Sequence, residues 1–286
     1  MTFLTRYAKI RPALHFTVKN HPLMFVIRSV FSARMANIAL VALLCSSTFA
    51  ANAASPHSTL SAPAPFAQCR DVFADRRAPV LLRPRPGTLR ALCYSAFAVL
   101  HSSSTKTPLY VAERISRAEL LDAQGEKRAT RFFPDARLPR AERAVLNDYK
   151  GSGYARGHMA PAGNMANPAA MAQSFSLANI VPQAPRNNSG PWASIEKATR
   201  KYALRARGDV YVITGPVFDD SGMTIGAGKV KVPRYLFKLV YDPIGNRAWA
   251  HWLENTEFAR VGRPIGYEEL VRRTGIDFLP GRALDR

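Results

Sequence analysis

Residues 153–165 read GYARGHMAPAGNM, setting Arg156, Gly157 and His158 side by side and breaking the chain again at Pro161. A guanidinium fixed beside an imidazole disfavours the protonated ring, so His158 is expected to stay neutral near pH 7 and able to take a proton. That is the state a general base needs. A lone histidine is more often packed or exposed than catalytic, so its role rests on what the rest of the chain places around it. Other chemistries lack their parts. There is no His-Glu-x-x-His, no Cys-x-x-Cys pair and no glycine-rich phosphate loop, which excludes zinc peptidase and nucleoside-triphosphatase readings.

The elements that must position His158 are short and mixed. LCYSAFAVLHSS and TPLYVAERIS carry β-branched and aromatic residues bounded by Ser, Thr and Pro, and read as two strands joined by HSSSTKTP. The stretch 128–154, with Pro and charge at close intervals, reads as a long functional loop. After the histidine, PAAMAQSFSLANIVPQ is apolar and rich in short residues. GPWASIEKATRKYALRARGD is the clearest helix, with Gly190 or Ser189 as its cap, Pro191 in its first turn and Trp192, Ile195, Ala198 and Tyr202 as its apolar stripe. Three further strands, in DVYVITGPVF, KVPRYLFKLVYD and RAWAHWLEN, precede a closing helix in GYEELVRRTGIDFLP. Strands that do not alternate regularly with helices predict an α+β fold.

The chain has 286 residues and a formal net charge of +20. So large a basic excess attracts polyanions: nucleic acid, an anionic membrane surface or an acidic polysaccharide. A solvated basic surface is the plain alternative. Residues 1–53 hold six Lys/Arg and no Asp or Glu, and end in an apolar run and the small-residue site Ala51-Asn52-Ala53, which reads as a cleaved targeting signal. The run is too short for a membrane span, so no membrane is expected to hold the mature form. Met24 is a second candidate start. Residues 54–86, rich in Pro, Ala, Ser and Arg, read as a linker or N-terminal arm, leaving 87–286 as the functional domain. Export to the periplasm or the medium is the expectation. Cys45 would leave with the signal, and the remaining pair, Cys69 and Cys93, is expected to form a disulfide there.

The runs SGYARGHMAPAGNM, SFSLANIVPQAPRNNSGPWASIE, VYVITGPVF and TGIDFLP resemble, in order and spacing, the DNA/RNA non-specific endonucleases, the ββα-metal or His-Me finger nucleases. The resemblance covers Cys93 to Pro280. It implies a ββα-metal core with a mainly antiparallel sheet flanked by helices, DNA and RNA as substrates, and Mg²⁺ as cofactor with Mn²⁺ as a substitute; a homodimer is left open. The family usually reads Asp-Arg-Gly-His, whereas this chain has Ala155 at the first position. Polar residues of NDYKGSGY, Asp148 above all, are the expected source of the missing support.

By that resemblance His158 is the base that deprotonates the attacking water. Asn188, 30 residues on, is the metal ligand, with Asn187 as its neighbouring competitor. A hard cation that keeps several waters suits a single amide oxygen, although Asn at such a place is also a common helix cap. Glu196 matches the glutamate that orients water at the metal, or else pairs with Arg200 one turn on. Asn179 supports the site. Arg156 and Arg131 match positions that neutralise charge on the phosphorane, with Arg128 and Arg137 close by. Gly157 lets the backbone come close. A nucleic-acid-binding protein that has lost catalysis, and a phosphodiesterase of lipids or small diesters, are the alternatives.

Overall fold

The computed structural model describes residues 65–284; the basic N-terminal segment, with Met24 and Cys45, lies outside the described residues. Seven antiparallel strands form the central sheet, in the spatial order Ile265–Gly266, Arg247–Glu254, Tyr235–Asp242, Val210–Val217, Thr107–Ile115, Phe97–Ser102 and Leu89–Cys93. Successive side chains of a strand point to opposite faces, and here both faces are covered. On Thr107–Ile115, Val111 packs into the core on one face while Tyr110 and Ala112 pack into the core on the other. This double burial explains why the strands read as near-continuous apolar runs.

One face is sealed by the N-terminal arm and the closing helix Tyr267–Thr274, through Phe66, Phe73, Leu270 and Phe278. Gly275, in the left-handed region at φ 65°, ends that helix. The described part of the proline-rich stretch is held to the domain: Val80–Leu81 pairs with Ile276–Asp277, and Cys69 is disulfide-bonded to Cys93. Closing a loop with that sequence separation of 24 is worth about 3 kcal/mol. LCYSAFAVLHSS, expected as one strand, holds the end of one and the whole of the next, because the chain turns back at Tyr94, whose N–H donates to the Phe97 carbonyl.

The other face carries the part that matters for chemistry. Ala155–His158 pairs antiparallel with Ile180–Gln183, with His158 opposite Ile180. The connection contains the helix Pro168–Ser174, capped by Asn167, whose side-chain oxygen accepts from Ala170 N–H at 2.9 Å. A helical rod follows the hairpin directly. It starts earlier than the sequence suggested: Pro185 occupies the first turn and helix runs to Ala203. Pro191 lacks an N–H and would clash inside a regular helix; it is accommodated in a π turn spanning Asn188–Trp192. Trp192, Ile195, Thr199 and Ala203 face the sheet, whereas Ala198 is exposed.

Candidate active site

Arg156 and His158 lie two residues apart on one strand, so both side chains leave the same face of the hairpin. Their common wall is Phe132, from the long loop. The Arg156 guanidinium lies 4.4 Å above the Phe132 ring, and the His158 ring is 5.5 Å from Phe132 and 4.8 Å from Phe175. This aromatic enclosure leaves His158 only 8% exposed and its Nε2 buried without a hydrogen-bond partner. Burial, helped by the charge of Arg128, lowers its pKa from 6.5 to about 3. The ring is neutral, as expected from its sequence neighbours, but the main cause is desolvation rather than the adjacent guanidinium. Arg156, by contrast, is exposed, and among the described residues no acid pairs with it.

Gly157 faces the other way, into the fold. A Cβ there would meet the Gln183 side chain, 2.1 Å from its Oε1 and 2.7 Å from its Cβ. The close approach is therefore to a neighbouring side chain of the hairpin. Gln183 in turn donates from Nε2 to Asn187 Oδ1 at 3.0 Å, and Asn187 donates from Nδ2 to the Glu254 carbonyl at 2.6 Å. That chain of contacts settles what each asparagine has to spare. Asn187 is fully buried with both ends of its amide engaged, while Asn188 is half-exposed and its side chain has no hydrogen-bond partner among the described residues. Of the two, only Asn188 has an oxygen left for a metal ion.

Asn179 is a structural clamp. Fully buried, it accepts from Ala160 N–H at 2.9 Å and donates to the carbonyls of Ala160 (2.9 Å) and Ser174 (2.8 Å). It ties the chain just beyond His158 to the start of the second hairpin strand. Glu196, half-buried eight residues after Asn188, makes no ion pair with Arg200, which reaches Asn164 Oδ1 instead, at 3.3 Å. Burial raises its pKa, and Lys238, Arg200 and Arg128 pull it back. Arg131, next to Phe132 in the chain, is exposed and has no ion-pair partner among the described residues. The loop arginine brought against the histidine's surroundings is Arg128, 5.2 Å above the Phe175 ring. Arg137 is committed elsewhere, to Asp135 and the Cys93 carbonyl.

Asp148 does not replace the aspartate absent at Ala155. Its carboxylate turns inward and accepts from Val145 N–H at 2.9 Å and Gly228 N–H at 2.7 Å, holding two loops together. Sequence reasoning also missed a buried charged group beneath the site. Lys238, 1% exposed, donates to Thr214 Oγ1 at 2.7 Å, comes within 3.4 Å of the Met159 carbonyl and lies 5.4 Å from the Trp192 ring. Beside it is Glu113, 2% exposed, with one oxygen bonded to Asn164 and the other unpartnered; burial raises its pKa to about 7, against the pull of Lys238. The signal was present as charge amid apolar residues: Lys238 alone in YLFKLVY, and Glu113 beside Arg114 in YVAERI.

Hairpin and helix stacked in this order on one face of an antiparallel sheet define a class, the ββα-metal nucleases, within an α+β fold. The structure of endonuclease G in complex with its inhibitor EndoGI shares that fold, with a TM-score of 0.60 at 23% identity over 70% of this chain and 89% of that one. A sequence model of the DNA/RNA non-specific endonucleases matches residues 83–284, and the chain belongs to that family. It is 38% identical to the human mitochondrial nuclease EXOG, over 69% of this chain and 58% of that protein. It is 33% identical to human mitochondrial endonuclease G, over 68% and 71%.

These relatives correct one expectation. Export to the periplasm or medium was read from a basic, acid-free and partly apolar N-terminus, but the proteins similar to this chain include several named as mitochondrial. A basic, acid-poor leader is not peculiar to secretion, since organelle transit peptides share it. Among the described residues no helix is long and apolar enough to cross a membrane.

Proposed function

We propose that this protein is a metal-dependent endonuclease that hydrolyses phosphodiester bonds of DNA and RNA without strong sequence preference. The observation that carries the reading is the pairing on one strand face of a histidine held neutral with a free, exposed arginine. Neutral His158 takes the proton of the attacking water. Arg156, with no competing acid, binds the phosphate and meets the charge that grows on it. The negative charge of a bound phosphate raises the proton affinity of His158 above its value in the free protein, which favours that transfer.

The donor set also fits a hard cation. Among the described residues no three His, Cys, Asp or Glu side chains gather to cage a metal, and a free amide oxygen suits an ion that keeps several waters. Asn188 would hold Mg²⁺, or Mn²⁺ in its place, with Glu196 two helical turns further along the same rod orienting water, and when bound there the ion would supply stabilisation of charge on the leaving 3′ oxygen. The basic excess, 40 Lys/Arg against 20 Asp/Glu, holds the phosphate backbone without reading bases.

The test is incubation of purified protein with plasmid DNA and with RNA, in Mg²⁺, in Mn²⁺ and in excess chelator, beside His158→Ala. Cleavage of both polymers that the chelator stops, and a variant that binds DNA but does not cut it, is the expected result. Absence of cleavage with either ion, or near-normal cleavage by His158→Ala, would overturn the proposal.

A further inference from the structure

Beside the arginine of the site lies an open groove of about 550 Å³, lined by Phe132, Leu146, Asn147, Tyr149, Lys150, Tyr154, Ala155 and Arg156. We propose that it receives an unstacked nucleobase of the strand being cut, the one next to the phosphate held by Arg156. The inference rests on the nuclease reading above and names the part of the substrate which that reading leaves unplaced.

Three observations support it. First, the groove is continuous with the site, since Arg156 and Phe132 belong to both: Phe132 turns towards His158 and Arg156 and also forms a wall of the groove. A strand whose phosphate sits at Arg156 must lay its neighbouring base nearby. Second, the lining has the composition of a stacking platform, with aromatic rings and an apolar side chain among cations. Phe132 and Tyr154 are half-exposed, Leu146 is 40% exposed, and Lys150 and Asn147 are exposed with no hydrogen bond among the described residues. The buried Tyr149 hydroxyl in its wall has no partner. Third, the groove carries no free carboxylate. The one acid in its wall segment, Asp148, is spent on backbone N–H groups of Val145 and Gly228, and the position where the family usually carries aspartate is Ala155, which lines the groove without charge or bulk. A second groove, of about 470 Å³, shares Tyr154 with the first but differs in charge, since Asp219 and Glu257 line it together with Arg234.

The test uses single-stranded DNA oligonucleotides that are identical except for one abasic analogue at a central position, with cleavage measured at every phosphodiester. Wild type is expected to cut one of the two bonds flanking the abasic position about 10-fold more slowly than the same bond in the intact strand, the scale of one lost base–aromatic stack. Tyr154→Ala should cut both oligonucleotides alike at that bond. Leu146→Ser, on an exposed side chain whose loss leaves the fold intact, should narrow the difference. Equal cutting by wild type, or a difference unchanged in both variants, would overturn the groove assignment while leaving the nuclease reading in place. If no oligonucleotide is cut at all, the nuclease reading fails, and binding of a strand carrying 2-aminopurine decides the groove. Quenching lost in Tyr154→Ala supports it, and binding without quenching refutes it.

Discussion

Lowering the pH from 7 to 5 is expected to weaken the fold, and His158→Gln should remove about half of the histidine contribution to that loss. In the native protein His158 binds a proton only near pH 3, against 6.5 when exposed, and buried His101 only near pH 4. Between those values the unfolded chain takes up protons that the native state refuses, so stability falls as pH falls. Glu113 acts in the opposite sense: its native pKa of about 7, against 4.5 when exposed, makes the native state the better proton acceptor and adds stability over the same range. Integrating the linkage relation from pH 7 to pH 5 gives a loss of about 2 kcal/mol for each histidine and a gain of about 2 kcal/mol for Glu113. The three groups together cost about 2 kcal/mol. Because all other groups cancel in the comparison, the difference in unfolding free energy between wild type and His158→Gln should shift by about 2 kcal/mol in favour of the variant on going to pH 5. Urea denaturation at the two pH values measures it. A difference that stays constant with pH would show that His158 is not held neutral by burial.

Asn179→Ala removes three buried hydrogen bonds and should cost about 3 kcal/mol, or a melting temperature lower by roughly 6–12 °C; a loss under about 1 kcal/mol would mean that the clamp is not needed. Asn187→Ala should lose about 2 kcal/mol of stability by urea unfolding. Asn188→Ala should unfold like wild type yet lose metal-dependent cleavage, and the reverse pattern would exchange their roles. Gly157→Ala forces its new methyl against Gln183 and should cost about 1–3 kcal/mol; the cost should shrink in a Gln183→Ala background, and strict additivity of the two changes would refute the contact.

How much was legible in the sequence depends on what each residue was selected to do. The strands were readable because β-branched and aromatic runs bounded by turn residues report a buried sheet, and Pro191 marked a helical start in the sense that it must avoid a regular turn. What it marked was a π turn inside a longer rod, since a proline shows where one N–H is missing without showing how the preceding residues are wound. Arg156 and His158 were legible as a pair because their two-residue spacing on a strand is also a spatial relation. Arg128 and Arg131 were not distinguishable, because an irregular loop carries no period from which to judge which guanidinium returns to the histidine. Asp148 misled for a related reason: its carboxylate satisfies two backbone donors from distant parts of the chain, one of them at Gly228, which lies 80 residues on.

The pair Asn187 and Asn188 shows how the remaining ambiguity is resolved by packing. Adjacent residues on a helical segment point about 100° apart, so when one faces the sheet its neighbour is turned out toward the site. Gln183 and the Glu254 carbonyl fix which one faces inward, and Gly157 makes room for Gln183. The asparagine left with an unengaged side chain, the proposed metal ligand Asn188, is thereby selected by contacts that do not include it. Lys238 acts on the same assembly from below, touching the Met159 carbonyl just beyond His158 and lying under Trp192 on the rod that bears Asn188 and Glu196. Burial costs that ammonium its hydration and lowers its pKa, and the carboxylates of Glu113 and Glu196 offset the cost. A charged residue retained at such expense in the middle of a central strand is hard to account for by stability alone, since an apolar side chain of similar volume would pack there at less cost. Its position, joining the hairpin of His158 to the helix of Asn188 and Glu196, is where a rigid polar contact fixes the distance between the two.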